Sequence, residues 1–198
     1  MSLLRRVVVP IGAALAAAAL IATPATAAPA PALFESAHAG FDDPEAARTL
    51  TVDLERFEGA AQVDVEYWTR SCAGDTCTTI FRTAYDQTPQ RAKMSLKAAS
   101  FTATVAYSET IRTCVSTADG EEAECTDAPA TTGTTQVKIA WTGTGEATKS
   151  RWRDDEGRLH VTRQKTAAVS GEAFGESFPV DQGIITSLAR TLIYPAAA

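Results

Sequence analysis

The alternation of apolar and polar residues constrains the fold of this chain more than any other sequence feature. The clearest alternating runs are residues 50–55, 63–67, 101–108 and 137–142. A period of two places alternate side chains on opposite faces of a β-strand, so each run predicts a strand with one buried face. Turn sequences separate the runs: Glu58-Gly59, Gly74-Asp75, Thr88-Pro89, Asp119-Gly120, Gly143-Thr144-Gly145, Glu156-Gly157 and Gly171. We therefore predict an all-β fold, an antiparallel β-sandwich or closed β-barrel of about ten short strands.

Two segments also carry helical signals. Residues 44–48 fit a single helical turn, with Asp43 as the N-cap and Pro44 at the first helical position. Residues 184–192 fit either one face of a helix or a last strand. We favour the strand because a short isolated helix needs a surface on which to pack.

The N-terminal segment has the three parts of a secretory signal. Arg5 and Arg6 precede an apolar stretch, and Ala25-Thr26-Ala27 matches a cleavage sequence. We predict a signal peptide at residues 1–27, an Ala/Pro spacer at 28–32 and a single β domain at 33–195. A membrane anchor is the alternative, and the arginine pair leaves both Sec and twin-arginine export open. Because no later apolar run reaches the ~18 residues of a spanning helix, we expect a secreted protein with no membrane contact in its mature form.

The charge balance opposes one class of function. The chain has 24 acidic and 18 basic residues, and loss of the predicted signal peptide removes two of the arginines. We expect no nucleic-acid binding, because a nucleic-acid binder needs a cationic surplus to displace counterions. The chain also lacks asparagine and has five lysines against thirteen arginines, a bias typical of GC-rich bacterial genomes.

Four cysteines in an exported chain predict two disulfide bonds. Cys72 and Cys77 flank one turn sequence, and Cys114 and Cys125 flank another. Loop entropy alone favours a Cys77–Cys114 bridge, at about 4 kcal/mol against about 2 and 3 kcal/mol for the two near pairs. We predict the near pairs, Cys72–Cys77 and Cys114–Cys125, because the turns bring them together first. Zinc binding competes with this interpretation, but neither spacing is C-x-x-C.

The sequence contains no set of residues that predicts catalysis. His38 and His160 are the only histidines, and neither belongs to a recognised catalytic motif. We expect His38 in a loosely ordered N-terminal part and His160 facing solvent on a strand. Carboxylates cluster at residues 42–43, 121–124 and 154–156, where turns with polar residues are ordinary. We expect no enzyme activity, and a small extracellular hydrolase using these carboxylates is the alternative.

Acidic residues also crowd the loop between the second pair of cysteines, at positions 119, 121, 122 and 124, and Asp127 lies two residues beyond Cys125. Carboxylate oxygens suit Ca²⁺, but the spacing of a calcium-binding EF-hand loop is absent. We therefore predict neither a metal site nor a cofactor.

One segment reverses the overall negative charge. Six basic residues fall within seventeen positions around the turn at residues 154–157: Lys149, Arg151, Arg153, Arg158, Arg163 and Lys165. In a hairpin, Arg151 and Arg153 share one face and Trp152 points to the other. We expect exposed side chains on a solvated outer face, which also protects an edge strand from aggregation. The functional alternative is a surface for an anionic cell-wall polymer or an acidic partner. Trp141, on the alternating face of the preceding strand, is predicted to be a core residue.

Residues 141–145 read Trp-Thr-Gly-Thr-Gly, and the charged hairpin at 150–163 follows them. A strand of small residues at 166–171 and a closing strand come next. In this order the chain resembles a group of small exported bacterial proteins, of actinobacterial type, whose function is unknown. In that group a strand ending in W-T-G-T-G leads into an arginine- or tyrosine-rich hairpin. The resemblance implies an exported all-β domain and no known activity.

Three hypotheses for function follow from these observations. We expect a monomeric, exported, non-catalytic domain that binds a partner or a surface, with a cell-wall polymer or an extracellular protein as its target. The second hypothesis is a protease-inhibitor-like module that presents a disulfide-braced loop, at residues 72–77 or 114–125. The third is the small hydrolase described above.

Overall fold

The computed structural model describes residues 30–87, 92–116, 122–177 and 184–196, and these residues form strands and no helix. The predicted signal peptide and the Thr88-Pro89 and Asp119-Gly120 turns lie outside the described residues. The strands are β1 (Ala32–Asp43), β2 (Arg48–Phe57), β3 (Ala60–Ala73), β4 (Thr76–Asp86), β5 (Lys93–Met94), β6 (Ala98–Ser116), β7 (Glu122–Asp127), β8 (Thr131–Arg153), β9 (Leu159–Ala173), β10 (Glu176–Ser177) and β11 (Ile184–Tyr194). The all-β prediction is confirmed. Two strands are much longer than expected, since β6 has 19 residues and β8 has 23.

The strands pair antiparallel in one sheet that closes on itself. Starting at β1, the neighbours in one direction are β2, β3, β4, β6 and β8, and in the other direction they are β11 and β9. Because β8 pairs with both β6 and β9, eight of the described strands form a closed ring. The short strands β5 and β7 pair with β6, and β10 pairs with β9. This topology agrees with the predicted antiparallel sandwich or closed barrel.

The apolar members of the alternating runs point into the ring and form its core. Largely buried side chains come from every strand of the ring, and the largest include Trp141, Leu50, Leu54, Ile139 and Leu188. Trp141 is 1 % exposed, and its Nε1 donates a hydrogen bond to the backbone oxygen of His38 at 3.0 Å. The prediction that Trp141 is a core residue is confirmed.

The turn between β9 and β10 covers one end of the ring. Phe174 in this turn contacts Tyr107 edge to face, with ring centroids 5.3 Å apart, and Tyr67 at 6.0 Å. Glu176 accepts hydrogen bonds from the Tyr67 hydroxyl at 3.2 Å and from the Arg48 guanidinium at 2.8 Å. Aromatic packing and ion pairing therefore hold this end together.

Both disulfides join directly opposed positions on neighbouring strands. Cys72 lies opposite Cys77 in the β3–β4 pair, and Cys114 lies opposite Cys125 in the β6–β7 pair. The two bonds have Cα–Cα distances of 4.0 and 4.1 Å. Cys77 also lies opposite Cys114, so the four cysteines form one row across four strands. The pairing predicted from the turns is the one observed, although the register also places the two inner cysteines side by side.

The helical turn predicted at residues 44–48 is wrong, and the strand predicted at residues 184–192 is confirmed. Residues 44–47 form a turn rather than a helix, in which the Ala46 amide donates to Asp43 Oδ1 at 3.0 Å. The chain re-enters the sheet at Arg48, so no helix can develop. Residues 184–192 belong to β11, as the alternation predicted.

The glycines predicted to mark turns at 143–145 and 171 lie inside long strands instead. A Cβ on Gly143 would lie 2.5 Å from the backbone oxygen of Leu96, and one on Gly171 would overlap the backbone oxygen of Lys138. These positions therefore need glycine because another backbone approaches closely. Gly145, with φ of +66°, lies in a β-bulge of β8 that leaves the strand intact.

Candidate functional site

The hairpin of β8 and β9 extends beyond the closed part of the ring. The β6–β8 pairing ends at Ala98 and Thr142, whereas the β8–β9 pairing continues to Arg153 and Leu159. We call residues 143–166 the β8–β9 arm. Within the arm, β8 pairs with β9 alone, and β9 pairs on its other side with β11. One face of this part of the sheet therefore continues the ring interior without the opposing strands that bury it elsewhere.

The structure places all six predicted basic residues on this arm. Lys149, Arg151, Arg153 and Arg163 are exposed on its strands, and Lys165 is half-buried. Arg158 lies in the turn, where Asp154 and Glu156 accept its ion pairs at 2.7 and 3.0 Å. The sequence therefore predicted the exposure of most of these side chains correctly.

The prediction that the basic residues lie on an outer face is wrong. Arg163 and Lys165 have the same parity on β9 as Val169 and Ala173, which are buried in the core. The irregularity in the β8–β9 register falls in β8, so β9 alternates without interruption between them. The face that carries the basic residues is consequently a continuation of the ring interior. Trp152 and His160 lie on the opposite, outer face of the same two strands.

Three of the cations lie side by side across three strands. Lys149 of β8 lies opposite Arg163 of β9, and Arg163 lies opposite Arg190 of β11. Neighbouring strands are about 4.8 Å apart, so the three backbone positions span about 10 Å. We call Lys149, Arg163 and Arg190 the cationic row. Glu35 of β1 and Arg56 of β2 continue the same line.

A buried carboxylate anchors one end of this line. Glu35 is 4 % exposed, and its Oε2 accepts a hydrogen bond from Arg56 Nε at 2.9 Å. The Arg56 guanidinium also donates to the Met94 backbone oxygen at 3.2 Å. Arg190 Nε lies 3.9 Å from Glu35 Oε1, while half of the Arg190 side chain remains exposed. Glu35 therefore holds Arg56 against the core, and it also attracts Arg190, the member of the cationic row that lies next to β1.

Sequence reasoning missed Glu35, Arg56 and Arg190. One signal was available for Glu35, which has the inward parity of Ala37 and Ala39 in the same alternating run. No comparable signal existed for Arg190, because only the pairing of β11 with β9 brings it beside Arg163.

The cationic row is electrostatically unfavourable in the protein alone. Like charges at directly opposed positions of a sheet are destabilising. Among the described residues, no carboxylate lies within salt-bridge distance of Lys149 or Arg163. Violations of local stability rules of this kind are expected at functional sites. An anion bound across the row would offset the repulsion.

The tip of the arm is organised by one carboxylate. Asp154 accepts hydrogen bonds from the amides of Glu156 and Arg158 at 3.1 and 2.9 Å, and from Arg158 Nε at 2.7 Å. His160 Nε2 lies 2.9 Å from Asp154 Oδ2. The hydrogen bond from His160, followed by those from Arg158, holds the pKa of Asp154 well below its usual range. These contacts fix the turn and the orientation of the Arg158 side chain.

The prediction that His160 faces solvent is wrong. Its ring is stacked on Trp152, with centroids 3.9 Å apart, and the residue is only 8 % exposed. Because His160 alternates with Leu159 and Val161, its side chain was expected to be exposed to solvent. Trp152 of the neighbouring strand β8 lies directly opposite and shields it. His160 therefore has a structural role on the outer face of the arm, where it packs on Trp152 and contacts Asp154.

His38 also differs from its prediction, since it lies within β1 and is half-buried. Its Nδ1 lies 2.7 Å from Asp53 Oδ1, and Ser187 occupies the directly opposed position on β11. This order resembles a nucleophile, base and orienting acid, but the His38 and Asp53 side chains are 35 % and 44 % exposed. The amides around Ser187 are paired with β1 and β9, so the sheet leaves no donors for an oxyanion. The arrangement orients a histidine without completing a hydrolytic site.

The carboxylate clusters serve the turns that contain them, as far as the structure describes them. Asp42 accepts a hydrogen bond from Thr49, and Asp43 pairs with Arg48 at 3.3 Å. The acidic loop considered for Ca²⁺ lies largely outside the described residues. Within the described ranges, no group of three potential metal-ligating side chains converges.

Comparisons of the chain with protein-family models, curated proteins and solved structures give no match. Across the part of the chain that the structure describes, no helix is long and apolar enough to cross a membrane. The two disulfides fit an oxidising environment.

Proposed function

We propose that this protein is an exported, non-catalytic bacterial module that binds an anionic polymer of the cell surface across its cationic row. The observation that carries the proposal is the alignment of Lys149, Arg163 and Arg190 on three adjacent strands. A polymer with regularly spaced negative charges would contact all three cations at once. Such a ligand relieves the repulsion around Lys149 and Arg163, which have no carboxylate within salt-bridge distance among the described residues.

The chemistry of the row supports phosphate or carboxylate as the recognised group. Two of the three cations are arginines, whose planar guanidinium can donate two parallel hydrogen bonds to either anion. Arg151, two residues from Lys149, adds a fourth exposed cation on the same face. The remainder of the protein is acidic, so an anionic ligand is repelled from other surfaces and directed to the arm.

Export is part of the same proposal. The N-terminal segment has the organisation of a signal peptide, and the two disulfides require an oxidising compartment for their formation. Outside the cell, such a module would meet cell-wall polymers first. An acidic extracellular protein would have to present its carboxylates with the same spacing.

The test is retention of the mature protein on immobilised long-chain polyphosphate, poly-L-glutamate and a purified cell-wall fraction. The variant Lys149→Ser with Arg163→Ser removes two members of the row. Its matched control is Lys93→Ser with Lys138→Ser, which removes two cations that are also exposed but lie elsewhere. We expect the row variant to bind about tenfold more weakly or worse, equivalent to about 1.4 kcal/mol, and the control to bind like the unaltered protein.

Salt dependence provides the second criterion. Screening shortens from about 10 Å at 0.1 M salt to about 3 Å at 1 M, so retention should fall steeply over this range. Equal loss in the row variant and the control, or retention that is insensitive to salt, would contradict the proposal.

A further inference from the structure

The outer face of β2, β3 and β4 carries a second feature, unrelated to the basic arm. Trp68 of β3 lies directly opposite Phe81 of β4, and Thr49 of β2 lies on the other side of Trp68. Phe81 is 39 % exposed and Trp68 is half-buried, although both lie on the face opposite the core. The two rings border a depression of about 340 Å³.

Polar side chains complete the depression. Two residues along the strands from the aromatic pair, Glu66 lies between Thr51 and Thr83 in the cross-strand register. These three residues line the same depression as Trp68 and Phe81. The site therefore combines aromatic walls with hydroxyl and carboxylate groups placed directly beside them. Ligand sites have this composition, in which apolar surface supplies affinity and a few polar groups fix orientation.

A third aromatic residue extends this surface along β4. Tyr85 is 54 % exposed and lies four residues from Phe81, about 13 Å at ~3.3 Å per residue. It has the same parity as Phe81 and lies opposite Asp64 of β3. Its hydroxyl donates to Gln62 Oε1 at 3.1 Å, which holds the ring in place. Two aromatic positions are thus separated by a polar stretch on the same face of the sheet.

We propose that this surface, Trp68, Phe81 and Tyr85 with Glu66, Thr51 and Thr83 between them, binds a neutral β-linked oligosaccharide. A pyranose ring has C–H groups on its faces and hydroxyls on its edges, so it requires aromatic surface and hydrogen-bonding groups side by side. One sugar packs against Trp68 and Phe81, and a later one packs against Tyr85. The hydroxyls of the sugars between them donate hydrogen bonds to the Glu66 carboxylate and form hydrogen bonds with the threonine hydroxyls.

The charge beside the depression disfavours an anionic occupant. Arg82 also lines the depression, but its Nε donates to Glu109 Oε2 at 2.6 Å. Glu66 and the next cross-strand pair, Asp53 and Asp64, leave a surplus of negative charge that disfavours uronates or phosphates. A depression of about 340 Å³ has the size of a small-molecule site and suits a small extended ligand.

The experiment is calorimetric titration of the mature protein with cellohexaose, chitohexaose and polygalacturonate. We expect at least one of the two neutral hexasaccharides to bind, with an affinity unchanged between 0.1 and 1 M NaCl, and we expect polygalacturonate to bind about tenfold more weakly or not at all. Trp68→Ala and Phe81→Ala should each weaken binding about tenfold or more. Trp152→Ala removes an aromatic side chain of comparable exposure elsewhere, and it should leave the affinity unchanged.

Several outcomes would overturn the proposal. Failure of the unaltered protein to bind either neutral hexasaccharide is one, and equal affinity of Trp152→Ala and Phe81→Ala is another. If Trp68→Ala does not fold, Tyr85→Ala and Glu66→Gln, both at exposed positions, test the same surface. Concentration-dependent dimerisation that Phe81→Ala abolishes would assign the surface to a second copy instead. Loss of salt-sensitive binding at the arm would leave this site unaffected, so the two proposals fail separately.

Discussion

Replacement of Trp141 by alanine is the most direct test of the ring interior. The side chain is 1 % exposed, and a buried Trp→Ala change typically costs about 3–5 kcal/mol. The change also removes the hydrogen bond to the His38 backbone oxygen, which adds about 1 kcal/mol. A domain of this size loses about 2–4 °C of melting temperature for each kcal/mol, so we expect a decrease of about 8–24 °C. Thermal unfolding followed by circular dichroism measures this decrease.

Trp152→Ala is the matched control for this measurement. Trp152 is 52 % exposed and contacts His160 on the outer side of the arm, so its loss should cost less than about 1 kcal/mol. Trp141→Phe keeps most of the volume and loses the hydrogen bond, and it should fall between the two. If Trp141→Ala melts within 4 °C of the unaltered protein, or if Trp152→Ala is the more damaging change, our assignment of faces in β8 is inverted.

Three further predictions concern the arm, the disulfides and the buried carboxylate. The pKa of Asp154 is lower in the folded protein than in the unfolded chain. The ionised carboxylate therefore stabilises the fold above about pH 4, and this stabilisation is lost as the pH falls further. Acid unfolding of Asp154→Asn should consequently show a weaker pH dependence in that range. Replacement of both Cys114 and Cys125 by serine should cost about 3 kcal/mol in urea unfolding, and an unchanged midpoint would refute the bridge's role. Glu35→Gln leaves a partly buried guanidinium without its carboxylate, and it should cost about 2 kcal/mol in the same assay; a stabilised variant would show that the ion pair is not needed.

The two proposed sites make opposite demands on their ligands. The cationic row requires negative charge and loses affinity with salt, whereas the aromatic surface excludes negative charge and is indifferent to salt. Binding measurements on the two sets of variants therefore report on separate surfaces, and each proposal stands or falls on its own data.

Residue types and their spacing along the chain determined the strands, the buried faces and the two disulfides. Alternation identifies the inward side of a strand from local sequence, because side chains reverse direction at every residue. Leu50, Val52 and Trp141 are buried for this reason. The cysteine pairs are close in sequence and are joined by turns, so their partners also follow from local information.

Only the tertiary structure decided how these strands neighbour one another, and with that it decided both candidate sites. Arg163 and Arg190 are 27 positions apart, and they become neighbours because β11 inserts between β9 and β1. The basic arm continues the ring interior because β6 ends at Ala98 while β8 and β9 continue, and no local pattern indicates where a partner strand stops. His160 is covered because Trp152 happens to lie opposite it in the register. Local periodicity specifies the face on which a side chain lies, but the register between strands specifies what it meets there.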